Sequence, residues 1–146
     1  MDIAKVGIVG AGQMGNGIAH VMALAGYNVL LNDVSDDALK AAVSLIDKNL
    51  DRQVSRDKIS ADEKHAALSR IRTTDTLTEL GNSDLVIEAA PERETIKQAI
   101  FEDLLPHLQP HTILTSNTST LSLTRLASLT DRPEQFMGIQ FKNPVP

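Results

Sequence analysis

The stretch Lys5 to Ala25, KVGIVGAGQMGNGIAHVMALA, constrains what this chain can fold into more than any other. An apolar run (Ile3, Val6, Ile8, Val9) breaks into Gly10-Ala11-Gly12-Gln13-Met14-Gly15. It resumes as Ile18, Ala19, Val21, Met22 and Ala25, spaced for one face of a helix that Gly26 is placed to end. The pattern is strand, tight turn, helix, with G-x-G-x-x-G at the join. Gly10 permits the turn, Gly12 lets a pyrophosphate approach the backbone, and Gly15 lets helix and strand pack closely. The helix N-terminus then offers free N–H groups and a positive dipole end to phosphates.

A second apolar run, Val29-Leu30-Leu31, ends in Asn32-Asp33, about twenty residues after the glycines. An acid there is placed to accept hydrogen bonds from an adenosine ribose. Asp33 is followed by Val34, Ser35, Asp36 and Asp37 and by no arginine, so a 2′-phosphate would meet negative charge. NAD is expected rather than NADP.

A chain of 146 residues is the size of one domain and can bury roughly 68–70% of its unfolded surface. It has no cysteine, hence no disulfide framework, thiol nucleophile or thiolate metal site, and no metal is expected. No run of about 20 apolar residues could span a membrane, and the glycine-broken first stretch lacks the basic leader of a signal peptide. A net charge of −5 argues against general nucleic-acid binding. A cytoplasmic protein without membrane or nucleic-acid partners is expected.

Further along, Ser35 can cap a helix with Asp36 and Asp37 in its first turn and an apolar stripe of Leu39, Val43, Ile46 and Leu50. Ser60-Ala61-Asp62-Glu63 is a capping box that opens another helix with Ala66, Ala67 and Leu68. These two helices read as a hairpin inserted between the second and third strands. Ile71–Thr74 is a short third strand, and Asp84–Ala90 is apolar enough for the middle of a parallel sheet. A helix opened by Glu92 and Glu94 carries Ile96, Ile100 and Leu104 until Pro106 ends or kinks it. A fifth strand over Ile113–Thr115 runs into Ser116-Asn117-Thr118-Ser119-Thr120. A short helix with Leu123, Leu126 and Leu129 and a sixth strand from Phe136 to Phe141 follow. Alternating strands and helices imply an α/β fold, a Rossmann-type doubly wound parallel sheet with an inserted helical hairpin.

Ligands of open α/β sheets bind outside the carboxyl ends of the strands, which singles out Gly10–Gly15, Asp33, Ala89–Glu92 and Thr115–Ser119. The last group reads equally as helix caps, the preferred use of Asn, Ser and Thr. The hairpin is locally basic: Lys48, Arg52, Arg56, Lys58, Lys64, Arg70 and Arg72 are seven of the fourteen Lys and Arg residues, with Asp47, Asp51, Asp57, Asp62 and Glu63 among them. Either it is a solvated mixed-charge face or it meets a second phosphate-bearing ligand.

GAGQMGNGIA, then Asp33, EAAPE (88–92) with Lys97 five residues on, SNTST (116–120) and FKNPVP (141–146) together resemble the N-terminal NAD-binding domain of the L-3-hydroxyacyl-CoA dehydrogenases, most of all the bacterial 3-hydroxybutyryl-CoA dehydrogenases. The resemblance runs in order along all 146 residues. It implies hydride transfer between NAD and C3 of a 3-hydroxyacyl-CoA. It places Gly10, Gly12, Gln13, Met14 and Gly15 at the pyrophosphate, Asp33 at the adenine ribose, and Ala90, Glu92 and Lys97 along the nicotinamide half. Asn117 and Ser119 would face the reaction centre, Ser119 bonding the substrate's 3-oxygen. The basic hairpin would face the phosphorylated end of coenzyme A, through Arg56 and, less directly, Asn49 and Arg52.

Two departures from the family pattern change the expected outcome. The family's general base is a His preceding the Phe of an H-F-x-N-P block, and Gln140 stands there. Glutamine cannot titrate near pH 7, so a contribution of about 10²- to 10⁴-fold is missing. His20, His65, His107 and His111 occupy no family catalytic position, and Lys142 fills a place usually apolar or aromatic. The family also continues past NPVP with the carboxylate that orients its His and with a helical domain that closes the cleft and dimerises. The expectation is one domain over 1–146 that binds NAD(H), lacks the C-terminal helical domain and has little dehydrogenase activity. Two other readings remain: a non-catalytic nucleotide-binding or self-associating module whose Gln140–Lys142 strand pairs with another chain as a homo-oligomer, and a reductase using Lys97 or Lys142 as acid.

Overall fold

The computed structural model describes residues 3–117, 123–128 and 130–139. Strand β1 (Lys5–Val9) turns into helix α1 (Gln13–Leu24), and β2 (Asn28–Asn32) follows. Helices α2 (Asp36–Ser55) and α3 (Ala61–Ser69) then form the expected hairpin before β3 (Ile71–Thr74). The second half runs β4 (Leu85–Glu88), α4 (Glu94–Leu104), β5 (Ile113–Asn117), α5 (Leu123–Ser128) and β6 (Phe136–Ile139). All five strand pairings are parallel and the order is β3-β2-β1-β4-β5-β6, the doubly wound Rossmann arrangement. Positions 140 and 141 of the sixth strand, and Leu129 of the short helix, lie outside the described residues.

Side-chain alternation along the strands builds a core on each face. Val6, Ile8, Val29 and Leu31 pack with α1, α2 and α3 through Ile18, Ala19, Leu39, Ala42, Ile46, Leu50 and Ala67. Val9, Val86 and Leu114 face the other way, toward Phe101 and Leu104 of α4 and Leu126 of α5. There Phe101 and Phe136 meet edge to face, 5.9 Å between ring centres.

Local signals end the helices where the sequence places them. At the end of α1, Gly26 takes φ +105°, and Tyr27 N–H reaches Met22 O while Gly26 N–H reaches Ala23 O, a Schellman motif. The Ser35 hydroxyl accepts from Ala38 N–H, and Ser60 and Glu63 form the complete capping box. Helix α2 ends in a second Schellman motif with Asp57, a non-glycine residue, at φ 57°.

One sequence expectation is corrected. The buried face of α4 is Lys97, Phe101 and Leu104, one residue off the Ile96–Ile100–Leu104 stripe, whose isoleucines are only half-buried. Apolarity alone could not place a lysine in the core. The link from β3 to β4 is a 3-10 helix, Leu77–Asn82. A cavity of about 500 Å³ lies there, lined among others by Lys5, Asn28, Leu30, Arg72, Glu79 and Asn82.

Candidate functional site

Strand register brings the expected residues to one edge of the sheet. Thr74, Asn32, Val9, Glu88, Ser116 and Gly138 are partners in a single row across all six strands. Gly10, Asp33, Ala89 and Asn117 come next along their strands, at the carboxyl edge where open α/β sheets take ligands. The cavity beside Leu77–Asn82 is lined from the amino ends of β1 and β2. Its size does not outweigh this topology, and the carboxyl edge is the candidate site.

The three glycines of the turn are needed for three different reasons. Gly10 has φ +102°, and a Cβ there would stand 2.9 Å from Ala89 O at the end of β4. A Cβ on Gly15 would lie 1.7 Å from Gly10 O, a backbone atom with no room to yield, so only glycine lets α1 close on the turn. Gly12 differs: its Cβ position has nothing within 4 Å. That open side, at the N-cap of α1, suits a group that must approach the backbone closely. The first turns of α2, α3 and α4 carry acids, whereas that of α1 carries none of its own. Gln13 is exposed and Met14 half-buried in that turn.

Asp33 is oriented before any ligand arrives. Its Oδ2 accepts from Ala11 N–H and its Oδ1 from Ser35 N–H, both at 2.9 Å. The first bond ties the end of β2 to the glycine turn. A carboxylate has about four acceptor positions, so two remain for hydroxyl groups of a sugar. A carboxylate acceptor and the amide donors of the glycine turn thus lie on adjacent strand ends.

The other half of the edge is built from side chains. Glu88 and Lys97 are both fully buried, and Lys97 Nζ lies 2.6 and 2.7 Å from the two Glu88 oxygens. Ser116 Oγ donates to Glu88 Oε1 at 2.6 Å, and Ala90 N–H donates to Oε2 at 2.7 Å. Register explains the meeting: Glu88 shares its row, and hence its sheet face, with Val9, which packs against α4. Glu92, its side chain 32% exposed, is the outward member of the group, with Oε1 3.8 Å from Lys97 Nζ. Lys97 thus stands beneath the surface. Glu88 and Ser116 were given no role from sequence; the available signal was an acid inside an apolar strand with a lysine nine residues later.

Asn117 ends β5, half-buried. Ser119, Gln140 and Lys142 lie outside the described residues. In the hairpin, Lys48, Arg52 and Arg56 follow at four-residue spacing along α2 and are exposed, with Asn49 half-buried beside them. Lys64 is committed to Asp47 and Asp51 of α2, which raise its pKa, and Arg70 donates to Ala23 O at 2.8 Å. The basic cluster therefore divides into cations that hold the hairpin and cations that face outward.

Two of the histidines are engaged elsewhere in the fold. His20 is buried between α1 and α2, its Nε2 2.7 Å from Gln53 Oε1, and burial lowers its pKa despite that bond. His111 pairs with Asp84 at 3.0 Å near the amino ends of the strands. Ala4 N–H first, then His111 and Lys5 N–H, hold the Asp84 pKa down to about 2. Among the described residues no cluster of His, Asp or Glu could hold a metal ion, and no helix is long and apolar enough to cross a membrane.

Comparison with known proteins agrees with this geometry. The family described as 3-hydroxyacyl-CoA dehydrogenase, NAD binding domain, matches residues 5–146. A 3-hydroxybutyryl-CoA dehydrogenase of Bradyrhizobium diazoefficiens is 56% identical over 144 residues, covering 99% of this chain and 49% of the relative. A crystal structure of (S)-3-hydroxybutyryl-CoA dehydrogenase from Ralstonia eutropha superposes with a TM-score of 0.96 at 41% identity, covering 99% of this chain and 51% of that one. One of 3-hydroxybutyryl-CoA dehydrogenase from Escherichia coli K12 gives 0.96 at 40% identity, covering 100% of this chain and 31% of that one. The chain spans about half the length of the first two. With the glycine turn, the tethered aspartate and the strand order all in place, it belongs to the 3-hydroxyacyl-CoA dehydrogenase family as its NAD-binding domain, and NAD is its cofactor.

Proposed function

We propose that residues 1–146 form the cofactor half of a 3-hydroxybutyryl-CoA or 3-hydroxyacyl-CoA dehydrogenase of fatty-acid metabolism, working on a 3-hydroxyacyl-CoA substrate in the cytoplasm. The observation that carries this reading is the Asp33 carboxylate tied to Ala11 N–H, beside a Gly12 with open space at its Cβ position. Gly10, Gly12, Gln13, Met14 and Gly15 hold the diphosphate and Asp33 the adenine ribose. Ala90, Glu92 and Lys97 border the nicotinamide half. NAD, when bound, accepts or supplies the hydride at the substrate's C3. Asn117 and Ser119 orient the substrate, Ser119 through its 3-oxygen. The exposed Arg52 and Arg56, with Asn49, attract the phosphates of coenzyme A.

Gln140 stands where the family places its general base. A carboxamide has no proton to exchange near pH 7, so this chain binds NAD(H) but turns over slowly. The test is acetoacetyl-CoA-dependent NADH oxidation beside an NADH fluorescence titration. Saturable NADH binding with turnover at least about 100-fold below an ordinary dehydrogenase is expected. Turnover of about 10 per second contradicts the inactivity. A second reading, a self-associating nucleotide-binding module, draws on Met137 of β6, which is 48% exposed. Light scattering separates the two: association without NADH binding favours the module.

A further inference from the structure

Glu88 is the buried charge at the carboxyl edge for which the proposed function has no use. It accepts four hydrogen bonds, two from Lys97 Nζ and one each from the Ser116 hydroxyl and Ala90 N–H. These bonds join the ends of β4 and β5 to the second turn of α4. A fully buried ion pair is poor value for stability alone, because an apolar pair of similar volume is often as stable or more so. Holding an ammonium and a hydroxyl in fixed places is something an apolar pair cannot do.

The ammonium has three N–H groups, and the two Glu88 oxygens lie within hydrogen-bond reach of it. Glu92 Oε1, at 3.8 Å, is within electrostatic reach but beyond a hydrogen bond. Lys97 thus sits between an inner carboxylate that fixes it and an outer one at the surface. Through Ser116, the same inner carboxylate grips β5 one residue before Asn117.

We propose that Glu88 is a positioning residue for the nicotinamide half of the cofactor, acting through Lys97 and Glu92 and, by Ser116, on the Asn117 end of β5. The inference rests on the proposed function and deepens it. Glu88 touches no ligand. It fixes the ammonium that in turn places the Glu92 carboxylate, and it balances a charge that would otherwise be buried alone.

The test is a double-mutant cycle read in two quantities, the urea midpoint and the NADH dissociation constant. The proteins are the 146-residue chain, Glu88→Met, Lys97→Met and the double variant, with Glu88→Gln as a near-isosteric fallback should Glu88→Met not fold. Glu88→Met, or Glu88→Gln in its place, is expected to weaken NADH binding about tenfold when Lys97 is present, the scale of one lost charged hydrogen bond. In the Lys97→Met background it should weaken binding no further, while the double variant regains a wild-type urea midpoint. A merely structural role predicts that affinity returns with stability, so a double variant binding NADH within about twofold of wild type overturns the proposal. So does a folded Glu88→Gln protein with unchanged affinity. If the unmodified folded chain binds no NADH at all, the proposed function falls and this inference falls with it. If it binds and only the Glu88 variants behave like wild type, this inference alone is wrong.

Discussion

The two halves of the carboxyl edge are built by opposite means. On the β1–β2 side the available groups are backbone amides, kept clear of side chains by glycines, and the single Asp33 carboxylate. On the β4–β5 side they are side chains, and the central ones, Glu88 and Lys97, are sealed from water. The first design fails when an atom is added. The second fails when a charge is removed. The difference gives each half its own sensitivity to substitution.

The largest effect is expected on the side-chain half. Lys97→Met leaves Glu88 buried without its counter-charge and should cost about 3–5 kcal/mol in a urea melt. Next comes Gly15→Ala, whose methyl group meets Gly10 O at 1.7 Å. Overpacking of this kind costs about 1–3 kcal/mol or more and should abolish NADH binding along with the turn. Gly12→Ala separates the two variables within the backbone half. With nothing within 4 Å of its Cβ it should melt within a few degrees of wild type yet bind NADH about tenfold more weakly or worse. If Gly12→Ala binds normally, the open side of the turn is not where the diphosphate lies.

A smaller effect tests the packing behind the glycine turn. Burial lowers the His20 pKa below the ordinary histidine value of 6.5, so the unfolded chain takes up this proton more readily than the folded one. His20's contribution to stability is therefore complete above pH 6.5 and declines as pH falls below it. Urea midpoints from pH 7.5 to 5 should decline less in His20→Gln. The Asp84 pKa, held down to about 2 from 3.8, acts only in more acid solution, its contribution being lost as pH falls from about 4 toward 2. Smallest of all, Asp57→Gly should stabilise the end of α2 by up to about 1 kcal/mol, because Asp57 occupies the left-handed region at φ 57°.

The backbone half is the more legible in sequence because its causes are local. Gly10 to Gly15, Gly26 at the helix end, the Ser35 cap and the Ser60–Glu63 box each act within a few residues of themselves, so spacing alone carries the information. Asp33 is legible for the same reason, as the acid ending the second strand. The side-chain half depends on contacts distant along the chain. Lys97 reads as a surface residue until Glu88, nine positions earlier, and Ser116, nineteen later, are brought around it by strand register. The Ile96–Ile100 stripe misleads for that reason: a pattern of apolar residues cannot count a lysine whose charge is matched elsewhere. The short 3-10 link at Leu77–Asn82 was equally hidden, because six residues hold too few turns to show a period.

Cofactor binding at the carboxyl edge is the reading that every site role proposed above depends on. The most direct measurement is an NADH titration of the isotopically labelled chain followed by backbone amide NMR shifts. Saturable shifts concentrated at residues 10–16 and 33–35, with a second group around 88–92, are predicted. No saturable shifts from a folded chain, or shifts confined to the cavity lined by Lys5, Asn28 and Arg72, would contradict it.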